Sequence, residues 1–366
     1  MTEIGIGVVG GGYMGKAHAV AMSAVGAVFN TSIRPRLEMV AASSDASAAK
    51  YARAYGFKRA TGDWRTLVAD PKVEAIIVAS PPETHLEITR AAAELGKPLF
   101  CEKPLGASAQ EGQQMVDLVE AKGIINMIGF NYIRTPASQF ARQMIQDGVI
   151  GDITWFRGEH TEDFYADPEA PATWRAQGDS NGCMGDLAPH MINAALALMG
   201  PVKSVMAEIE TVHPLRGGIP VSNDDQGQIM CRFVNGAMGH LFFSRTATGR
   251  KMGYIYEITG TKGAIRFNQE DQNSIWLYKA EGPEAERGFR QILTGPTHPD
   301  YEPFCLGPGH GTGYQDQITI EARDFLTSIE AGKSLWPTFR DGLEVSQIVQ
   351  AARQSNADRA WTSIPQ

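Results

Sequence analysis

Cysteine is scarce in this sequence, and the cysteines that occur lie far apart. Four are present, at positions 101, 183, 231 and 305, and none forms a Cys-x-x-Cys pair. Disulfide frameworks and zinc sites need paired or closely spaced cysteines, whereas scattered cysteines are typical of reduced thiols in cytoplasmic enzymes. We therefore expect a cytoplasmic protein without a disulfide framework or a metal site.

Long apolar runs are also missing. The N-terminus, MTEIGIGVVGGGYMG, has an acidic residue at position 3 and reaches its glycines before any long apolar run. A secretory signal starts with a basic segment and continues with a longer apolar one. No stretch approaches the roughly 20 apolar residues of a membrane span. The sequence predicts neither a signal peptide nor a membrane partner.

Positive charge is in deficit as well. The chain has 33 Lys and Arg against 41 Asp and Glu, a formal net charge of -8. Nucleic acids and anionic membrane surfaces attract basic proteins, so neither is expected as the main partner. With 366 residues, of which 43% are hydrophobic and 20% charged, the chain is typical of a globular protein with room for two domains.

The pattern of apolar residues changes near residue 130. Before that point, short apolar runs alternate with helical patterns, which predicts βαβ units and a parallel sheet. Between residues 202 and 279, successive strand patterns are separated by short Gly- or Asn-rich turns, which predicts an antiparallel sheet. Residues 281–312 should form a long loop. Four predicted helices should cover one face of this second sheet, at about 134–147, 186–199, 314–331 and 340–354.

A glycine loop follows the first predicted strand. Gly10, Gly12 and Gly15 occupy the key positions of a GxGxxG pattern, with Tyr13 and Met14 between them. The first glycine allows a tight turn, the second lets backbone approach a pyrophosphate, and the third allows close contact between helix and strand. The N–H groups at the start of the helix attract phosphate. These residues therefore predict a dinucleotide site.

The second strand, predicted at 37–42, should end near the adenosine ribose. Its tip reads Ser43-Ser44-Asp45, and an insertion at 29–36 is expected to lengthen the connection before it. An acid at this place binds the ribose hydroxyls of NAD. Asp45 is the acid available, although it is equally well explained as the cap of the next helix. Because no arginine follows to bind a 2′-phosphate, NAD is favoured and NADP stays open.

Two further segments carry reactive side chains. In LFCEKPLG, residues 99–106, Pro104 forces Lys103 out of a helical conformation, so this lysine should lie on an extended tip or turn. In GCMGDLAPH, Asp186 stands four residues before His190 at a helix start, which would place both on one face. The alternative is a purely structural role, in which Asp186 caps the helix and His190 has its hydrogen bonds satisfied within the protein. No third ligand follows at metal spacing.

Taken together, these motifs resemble the Gfo/Idh/MocA oxidoreductases, the family of glucose–fructose oxidoreductase and the inositol dehydrogenases. The resemblance covers nearly the whole chain. It is carried by Gly10 to Gly15 with Lys16-Ala17-His18, by Ser80-Pro81-Pro82 with His85, by Glu102-Lys103-Pro104, by Gly185-Asp186 with His190, and by residues 309–314. It implies an α/β protein with an N-terminal Rossmann dinucleotide-binding domain (1–128). A C-terminal α/β domain (129–366) with an open, mostly antiparallel sheet would bind substrate and form the oligomer.

The resemblance also implies the roles of individual residues. Lys103, Asp186 and His190 match the catalytic positions, with His190 as the base, Asp186 orienting it, and Lys103 stabilising the substrate oxygen. Besides the glycine loop and residues 43–45, it implies cofactor contacts from Ser80, Pro81, Pro82, His85, Glu102, Lys103, Asn131, Trp174 and Arg175. The implied substrate contacts are Lys103, Tyr132, His160, Asp163, Tyr165, Arg175, Asp186, His190 and His310. The polar and aromatic segment 155–175 suits a polyhydroxylated ring, although a surface loop with packed aromatics explains it too.

The expected function is an NAD-dependent dehydrogenase that oxidises a secondary hydroxyl of a cyclitol or pyranose sugar, of the scyllo- or myo-inositol or L-glucose type, to a ketone or lactone. Three alternatives stay open at this point. They are a 3-dehydrogenase of levoglucosan or another anhydrosugar or glycoside, an NAD-dependent redox-neutral glycoside hydrolase, and a non-catalytic dinucleotide sensor. The resemblance further implies a homo-oligomer, a dimer or tetramer, assembled through the C-terminal sheet.

Overall fold

The computed structural model describes residues 2–365 and, within them, every side chain except that of Trp174. These residues form two compact units. The first comprises the chain up to Arg134 together with Gly313–Glu344, and the second comprises Thr135–Thr312 together with the chain from Val345 onward. The expected division of function between 1–128 and 129–366 stays a prediction. Among the described helices, none is long and apolar enough to cross a membrane.

Strands and helices alternate through the first part of the chain, as predicted. The elements are β1 (Thr2–Val9), α1 (Tyr13–Phe29), β2 (Ile33–Ala41), α2 (Asp45–Tyr55), β3 (Arg59–Thr61), α3 (Trp64–Ala69), β4 (Ala75–Val78), α4 (His85–Glu94), β5 (Leu99–Glu102), α5 (Ala109–Ala121) and β6 (Asn126–Gly129). The strands form a parallel sheet in the order β3-β2-β1-β4-β5-β6. This is the Rossmann order, in which ligands bind beyond the carboxyl ends of the strands.

The start of β2 corrects the predicted insertion at 29–36. Helix α1 continues to Phe29, and β2 already begins at Ile33, where it pairs with Thr2 of β1. Pro35 obscured this strand, because proline lacks the N–H group that a central strand needs. Along its first residues, however, β2 pairs with β1 alone, since β3 joins only at Met39–Ala41. The proline therefore faces an open edge.

From Thr135 onward the elements are α6 (Pro136–Gln146), β7 (Ile153–Thr161), α7 (Cys183–Asp186), α8 (Ala188–Met199), β8 (Val202–Glu210), β9 (Leu215–Arg216), β10 (Ile219–Pro220), β11 (Gln226–Phe233), β12 (Met238–Ser244), β13 (Gly253–Gly260), β14 (Gly263–Asn268), β15 (Ser274–Lys279), β16 (Arg290–Leu293), α9 (Tyr314–Ala331), α10 (Phe339–Asp358) and β17 (Thr362–Ser363).

The large sheet of the second unit has the order β16-β15-β14-β13-β7-β12-β11-β8-β17. Its strands pair antiparallel except for β7 and β12, which are parallel. The predicted open, mostly antiparallel sheet is confirmed. Strand β7 was not predicted, because its polar residues resembled a binding loop. It lies inside the sheet, and Phe156, Gly158 and His160 alternate onto the buried face.

Helix α9 corrects the expectation that residues 314–331 cover the second sheet. It belongs to the first unit, where Ile318, Ala322 and Phe325 join the core beside residues of α1. Gln315 adds a hydrogen bond of 2.9 Å to the carbonyl of Ala17. Helical periodicity predicts which face of a helix is buried, but not which element covers that face.

Candidate active site

The three glycines of the loop after β1 have the conformations that a dinucleotide loop needs. Gly10 has φ of 102°, a region that favours glycine. A Cβ on Gly15 would lie 1.9 Å from the carbonyl oxygen of Gly10, so no side chain fits there. A Cβ on Gly12 would meet no described atom within 4 Å. The backbone at Gly12 is therefore open to approach, as contact with a pyrophosphate requires.

The start of α1 is also suited to bind an anion. Gly12 is its N-cap and supplies no side-chain hydrogen bond, and no acidic residue occupies the first turn. Nothing on these residues competes with a phosphate for the first N–H groups of the helix. Tyr13 is exposed and stacks on Tyr314 with ring centroids 5.8 Å apart, and the Tyr314 hydroxyl lies 3.3 Å from the sulfur of Met14.

The structure at the tip of β2 shows whether Asp45 caps the next helix. Ser44 is the N-cap of α2, since its Oγ accepts a hydrogen bond of 3.2 Å from the amide of Ser47. Asp45 is not the cap, and its Oδ1 instead accepts a hydrogen bond of 2.6 Å from the amide of Gly62. Ser43, Ser44 and Asp45 are all exposed. The predicted contact of this tip with the ribose stays a prediction.

Lys103 follows directly after β5, at the carboxyl edge of the parallel sheet. The Lys103-Pro104 peptide is cis, and Lys103 is half-buried. The preceding Glu102 is buried, and its carboxylate lies 2.6 Å from Nε2 of His18 in α1. The strand end that precedes Lys103 is therefore held from the core side, and the catalytic role of Lys103 stays a prediction.

His85 lies at the start of α4, and its predicted contact with the cofactor stays a prediction. Its ring is fully buried, with Nδ1 3.0 Å from the carbonyl oxygen of Pro104 and Nε2 2.9 Å from that of Ser80. Burial lowers the pKa of His85, which favours the neutral ring. His85 therefore bridges the loops after β4 and β5, while Ser80, Pro81 and Pro82 lie nearer the surface.

Asn131 and Tyr132 lie in a short 3₁₀ helix after β6. The amide of Asn131 is buried and donates a hydrogen bond of 2.9 Å to Oε1 of Gln317. Tyr132 is half-buried, with its ring centroid 6.0 Å from that of Tyr314. Asn131 thus supports α9, and Tyr132 belongs to the same aromatic group as Tyr13. Their predicted contacts with cofactor and substrate stay predictions.

Asp186 and His190 occupy two consecutive helices rather than one. Asp186 ends α7, and His190 lies in the first turn of α8 after Pro189. The carboxylate of Asp186 forms an ion pair with the guanidinium of Arg175, and both side chains are partly exposed. His190 is 7% exposed. The pairing with Arg175 could not be foreseen, because the two residues lie eleven positions apart in sequence and no local pattern connects them.

His160 is predicted as a substrate ligand, and this contact stays a prediction. It lies on β7 and is 1% exposed, with Nδ1 2.9 Å from the carbonyl oxygen of Leu187 and Nε2 3.2 Å from a carboxylate oxygen of Glu162. Its ring meets that of His190 edge-on, with centroids 5.5 Å apart. His160 therefore supports His190 from the buried side.

Tyr165 is also predicted as a substrate ligand, and this contact stays a prediction too. It is buried between two arginines, with the guanidinium carbon of Arg216 3.9 Å and that of Arg245 4.7 Å from its ring centroid. Its hydroxyl lies 2.8 Å from Oγ1 of Thr173. These contacts place Tyr165 in the core beneath the segment that carries Arg175.

Asp163, His310 and Trp174 are the remaining predicted site residues, and their contacts with substrate or cofactor stay predictions. Asp163 accepts a hydrogen bond of 2.6 Å from Nζ of Lys251, and this ammonium group lowers the pKa of Asp163. His310 is exposed, with Nδ1 3.1 Å from the sulfur of Cys305. The side chain of Trp174 lies outside the described residues. Within residues 2–365, no group of three or more His, Cys, Asp or Glu side chains could hold a metal ion.

The strand order and the open glycine loop define a dinucleotide-binding protein of the Rossmann class. Comparison with known families agrees. Residues 4–130 match a model described as an oxidoreductase family with an NAD-binding Rossmann fold, and residues 138–266 match the GFO/IDH/MocA C-terminal domain. The chain belongs to the GFO/IDH/MocA family of oxidoreductases, and its N-terminal domain binds NAD.

Individual relatives cover the chain from end to end. Levoglucosan dehydrogenase of Pseudarthrobacter phenanthrenivorans is 38% identical over 100% of this chain and 99% of its own length. Inositol 2-dehydrogenase of Rhizobium meliloti is 28% identical over 98% of both. A solved levoglucosan dehydrogenase, in complex with NADH and L-sorbose, superposes with a TM-score of 0.98 at 39% identity, covering 100% of each chain.

Proposed function

We propose that this protein is an NAD-dependent dehydrogenase that oxidises a secondary hydroxyl of a pyranose-type sugar, with the anhydrosugar levoglucosan as the first substrate to test. The observation that carries the proposal is the full-length similarity to levoglucosan dehydrogenase in both sequence and structure. The site residues agree with this chemistry, because the chain offers a base, a carboxylate and an ammonium group of the types that alcohol oxidation needs.

The residues of the first unit suit NAD. The open backbone at Gly12 and the uncapped start of α1 would hold the pyrophosphate, with Tyr13 and Met14 beside it. Ser43, Ser44 and Asp45 would meet the adenosine ribose. NAD, when bound, supplies the acceptor for the hydride that leaves the substrate carbon. We propose residues 1–128 as the cofactor domain and 129–366 as the substrate domain.

His190 takes the hydroxyl proton as general base, because histidine exchanges protons near neutral pH. Asp186 stabilises the protonated ring, and Arg175 holds the Asp186 carboxylate in place. Lys103 stabilises the negative charge that develops on the substrate oxygen. Hydride and proton both leave the alcohol, and a ketone, or a lactone from an anomeric hydroxyl, is the product.

A cyclitol is the second candidate substrate. It is favoured by the full-length similarity to inositol 2-dehydrogenase. Cyclitols and pyranoses both present a ring of secondary hydroxyls, so one set of acid–base residues serves either. The ring itself therefore has to be chosen by assay.

The test is a panel of levoglucosan, L-glucose, scyllo-inositol and myo-inositol, each assayed for NADH formation with NAD and with NADP. The proposal predicts net NADH with levoglucosan at a kcat/KM above that of the cyclitols. Highest efficiency with an inositol would select the second candidate. Glycoside cleavage without net NADH would indicate a redox-neutral hydrolase, and NAD binding without any turnover would indicate a sensor.

We further propose that the protein forms a homodimer or homotetramer through the large sheet. One face of this sheet exposes Met230 and Met238 on neighbouring strands, 50% and 49% of each side chain, and exposed apolar patches mark association surfaces. The molar mass in solution, measured for wild type and for Met230→Glu, tests this.

The free thiols of all four cysteines support a cytoplasmic location, which fractionation of the native cells would check.

A further inference from the structure

Three consecutive side chains immediately before β11 are buried, and each binds a different part of the segment that leads to Asp186. Asn223 and Asp224 are 4% exposed and Asp225 is 0% exposed. Burial of polar side chains is costly unless their hydrogen bonds are satisfied, and most buried polar atoms in proteins have partners. We call Asn223-Asp224-Asp225 the buried tripeptide.

Asn223 fixes the backbone that carries Arg175. Its side-chain amide donates hydrogen bonds of 2.9 Å to the carbonyl oxygen of Arg175 and 3.0 Å to that of Gly178. These two bonds hold the chain on both sides of the turn that follows Arg175. The position of the Arg175 side chain depends on this backbone.

Asp224 fixes the start of α7. Its Oδ2 accepts a hydrogen bond of 2.6 Å from the amide of Met184, and its backbone carbonyl accepts one of 3.0 Å from the amide of Cys183. A Cβ on Gly182 would lie 2.7 Å from Oδ1 of Asp224, so the approach is as close as glycine allows. The short helix that ends at Asp186 is thereby held at its first turn.

Asp225 acts through Arg245, which is 1% exposed. Oδ1 of Asp225 accepts a hydrogen bond of 2.8 Å from Nε of Arg245. Nη1 of Arg245 then donates to the carbonyl oxygens of Arg175, at 2.7 Å, and Asn181, at 3.1 Å. Nη2 donates to Oδ1 of Asn223 at 2.8 Å. The carbonyl oxygen of Arg175 thus accepts two hydrogen bonds, one from the side-chain amide of Asn223 and one from the guanidinium of Arg245.

A buried ion pair of this kind adds little stability, because desolvation offsets most of the attraction between the charges. Its bonds do, however, fix one arrangement of the backbone. We propose that Asn223, Asp225 and Arg245 are positioning residues, which set the Arg175 guanidinium against the Asp186 carboxylate while Asp224 holds the helix that carries Asp186. This inference rests on the proposed function, in which Asp186 assists the base His190.

The test uses Asn223→Asp, which keeps the size of the side chain and the acceptor for Arg245 but removes the two N–H donors. We expect kcat with saturating NAD and sugar to fall by about tenfold to a hundredfold, as small displacements of catalytic groups do. Asn126→Asp is the matched control. Asn126 is also buried, and its side-chain amide donates a hydrogen bond of 2.9 Å to the carbonyl oxygen of Ile124. It lies, however, at the opposite end of the parallel sheet from Lys103. The Asn126→Asp variant should therefore lose thermal stability but keep the wild-type kcat.

A lower kcat in Asn223→Asp could also come from a general loss of structure, and a double variant distinguishes this from a positioning role. If Asn223 acts through Arg175, adding Asn223→Asp to Arg175→Gln should lower kcat by less than about twofold, because the interaction is already lost. If the fold-decreases in kcat of the two single variants multiply in the double variant, the proposal is wrong. A wild-type kcat in Asn223→Asp would also overturn it. If Asn223→Asp does not fold, Arg245→Lys gives the same test, since it keeps the charge beside Asp225 but loses the planar donors.

The outcomes also separate this inference from the proposed function. Arg175→Gln with unchanged turnover would show that the assignment of Arg175 and Asp186 to catalysis is wrong. A slow Arg175→Gln together with a normal Asn223→Asp would leave the function intact and reject the positioning role alone.

Discussion

Nε2 of His18 lies 2.6 Å from Oε1 of Glu102, and both side chains are buried. His18 belongs to α1, the helix whose N-terminus is the candidate phosphate site. Glu102 ends β5, and Lys103 is the next residue. One hydrogen bond therefore connects the helix of the glycine loop with the strand end that carries the candidate catalytic lysine.

Removal of this bond should slow turnover. His18→Phe keeps the edge-on contact with Phe100, whose ring centroid is 4.8 Å away, but leaves the Glu102 carboxylate without this donor. We expect a loss of about 1–3 kcal/mol in the free energy of unfolding and a clear fall in kcat. His18→Gln, which can still donate to Glu102, should recover much of both. Equal kcat in wild type and His18→Phe, measured at saturating substrates, would contradict a role for this bond.

The glycine loop gives a prediction for cofactor binding. In Gly12→Val the new side chain would fill the space that the backbone leaves open, so NADH binding should be abolished. Gly288→Val is the control, because a Cβ there also meets no described atom within 4 Å but lies in a loop of the second unit. Fluorescence titration with NADH measures both. Normal NADH affinity in Gly12→Val would show that the loop does not bind the pyrophosphate.

Cofactor choice tests the tip of β2. Its carboxylate, Asp45, favours ribose hydroxyls over a 2′-phosphate, so kcat/KM should be about tenfold or more higher with NAD than with NADP. The bond from Gly62 to Asp45 holds this carboxylate in place. A higher kcat/KM with NADP would contradict the assignment and would point to Ser43 and Ser44 as phosphate ligands.

The base is tested by His190→Ala. We expect kcat to fall by about 10²–10⁴, the usual contribution of a positioned acid–base group, while NADH affinity stays nearly unchanged. Asp186→Asn should also slow turnover, because it weakens support for the protonated ring and the ion pair with Arg175. Wild-type kcat in His190→Ala would transfer the role of base to another residue, with Lys103 the first to examine.

The sequence predicted the parts of the site that depend on local backbone chemistry. The GxGxxG spacing predicts that glycine is required at positions 10 and 15. The structure shows why: Gly10 has a positive φ, and Gly15 lies too close to the Gly10 carbonyl for any side chain. Proline after Lys103 likewise signals a turn. The C-terminal sheet could be predicted because short turns join its strands.

Other parts could not be predicted, because they depend on contacts distant in sequence. His160 and Tyr165 have polar atoms typical of a binding surface, yet a strand and two arginines bury them. Burial of His85 follows from carbonyl partners in two separate loops. Burial of the polar run Asn223-Asp224-Asp225 beneath Arg175 could not be predicted either, because no local signal in the sequence indicates it.

The central claim is that Lys103 stabilises charge on the reacting oxygen, and kcat of Lys103→Ala at saturating NAD and sugar tests it most directly. Lys122→Ala is the control, since Lys122 is exposed at the end of α5 and most surface substitutions have little effect. We predict that Lys103→Ala lowers kcat by about 10²–10³, as the loss of one oxyanion donor does. Lys103→Arg should not restore it, because a planar guanidinium cannot replace a compact ammonium group. A kcat for Lys103→Ala within about twofold of wild type, the range expected of a surface lysine, would contradict the account.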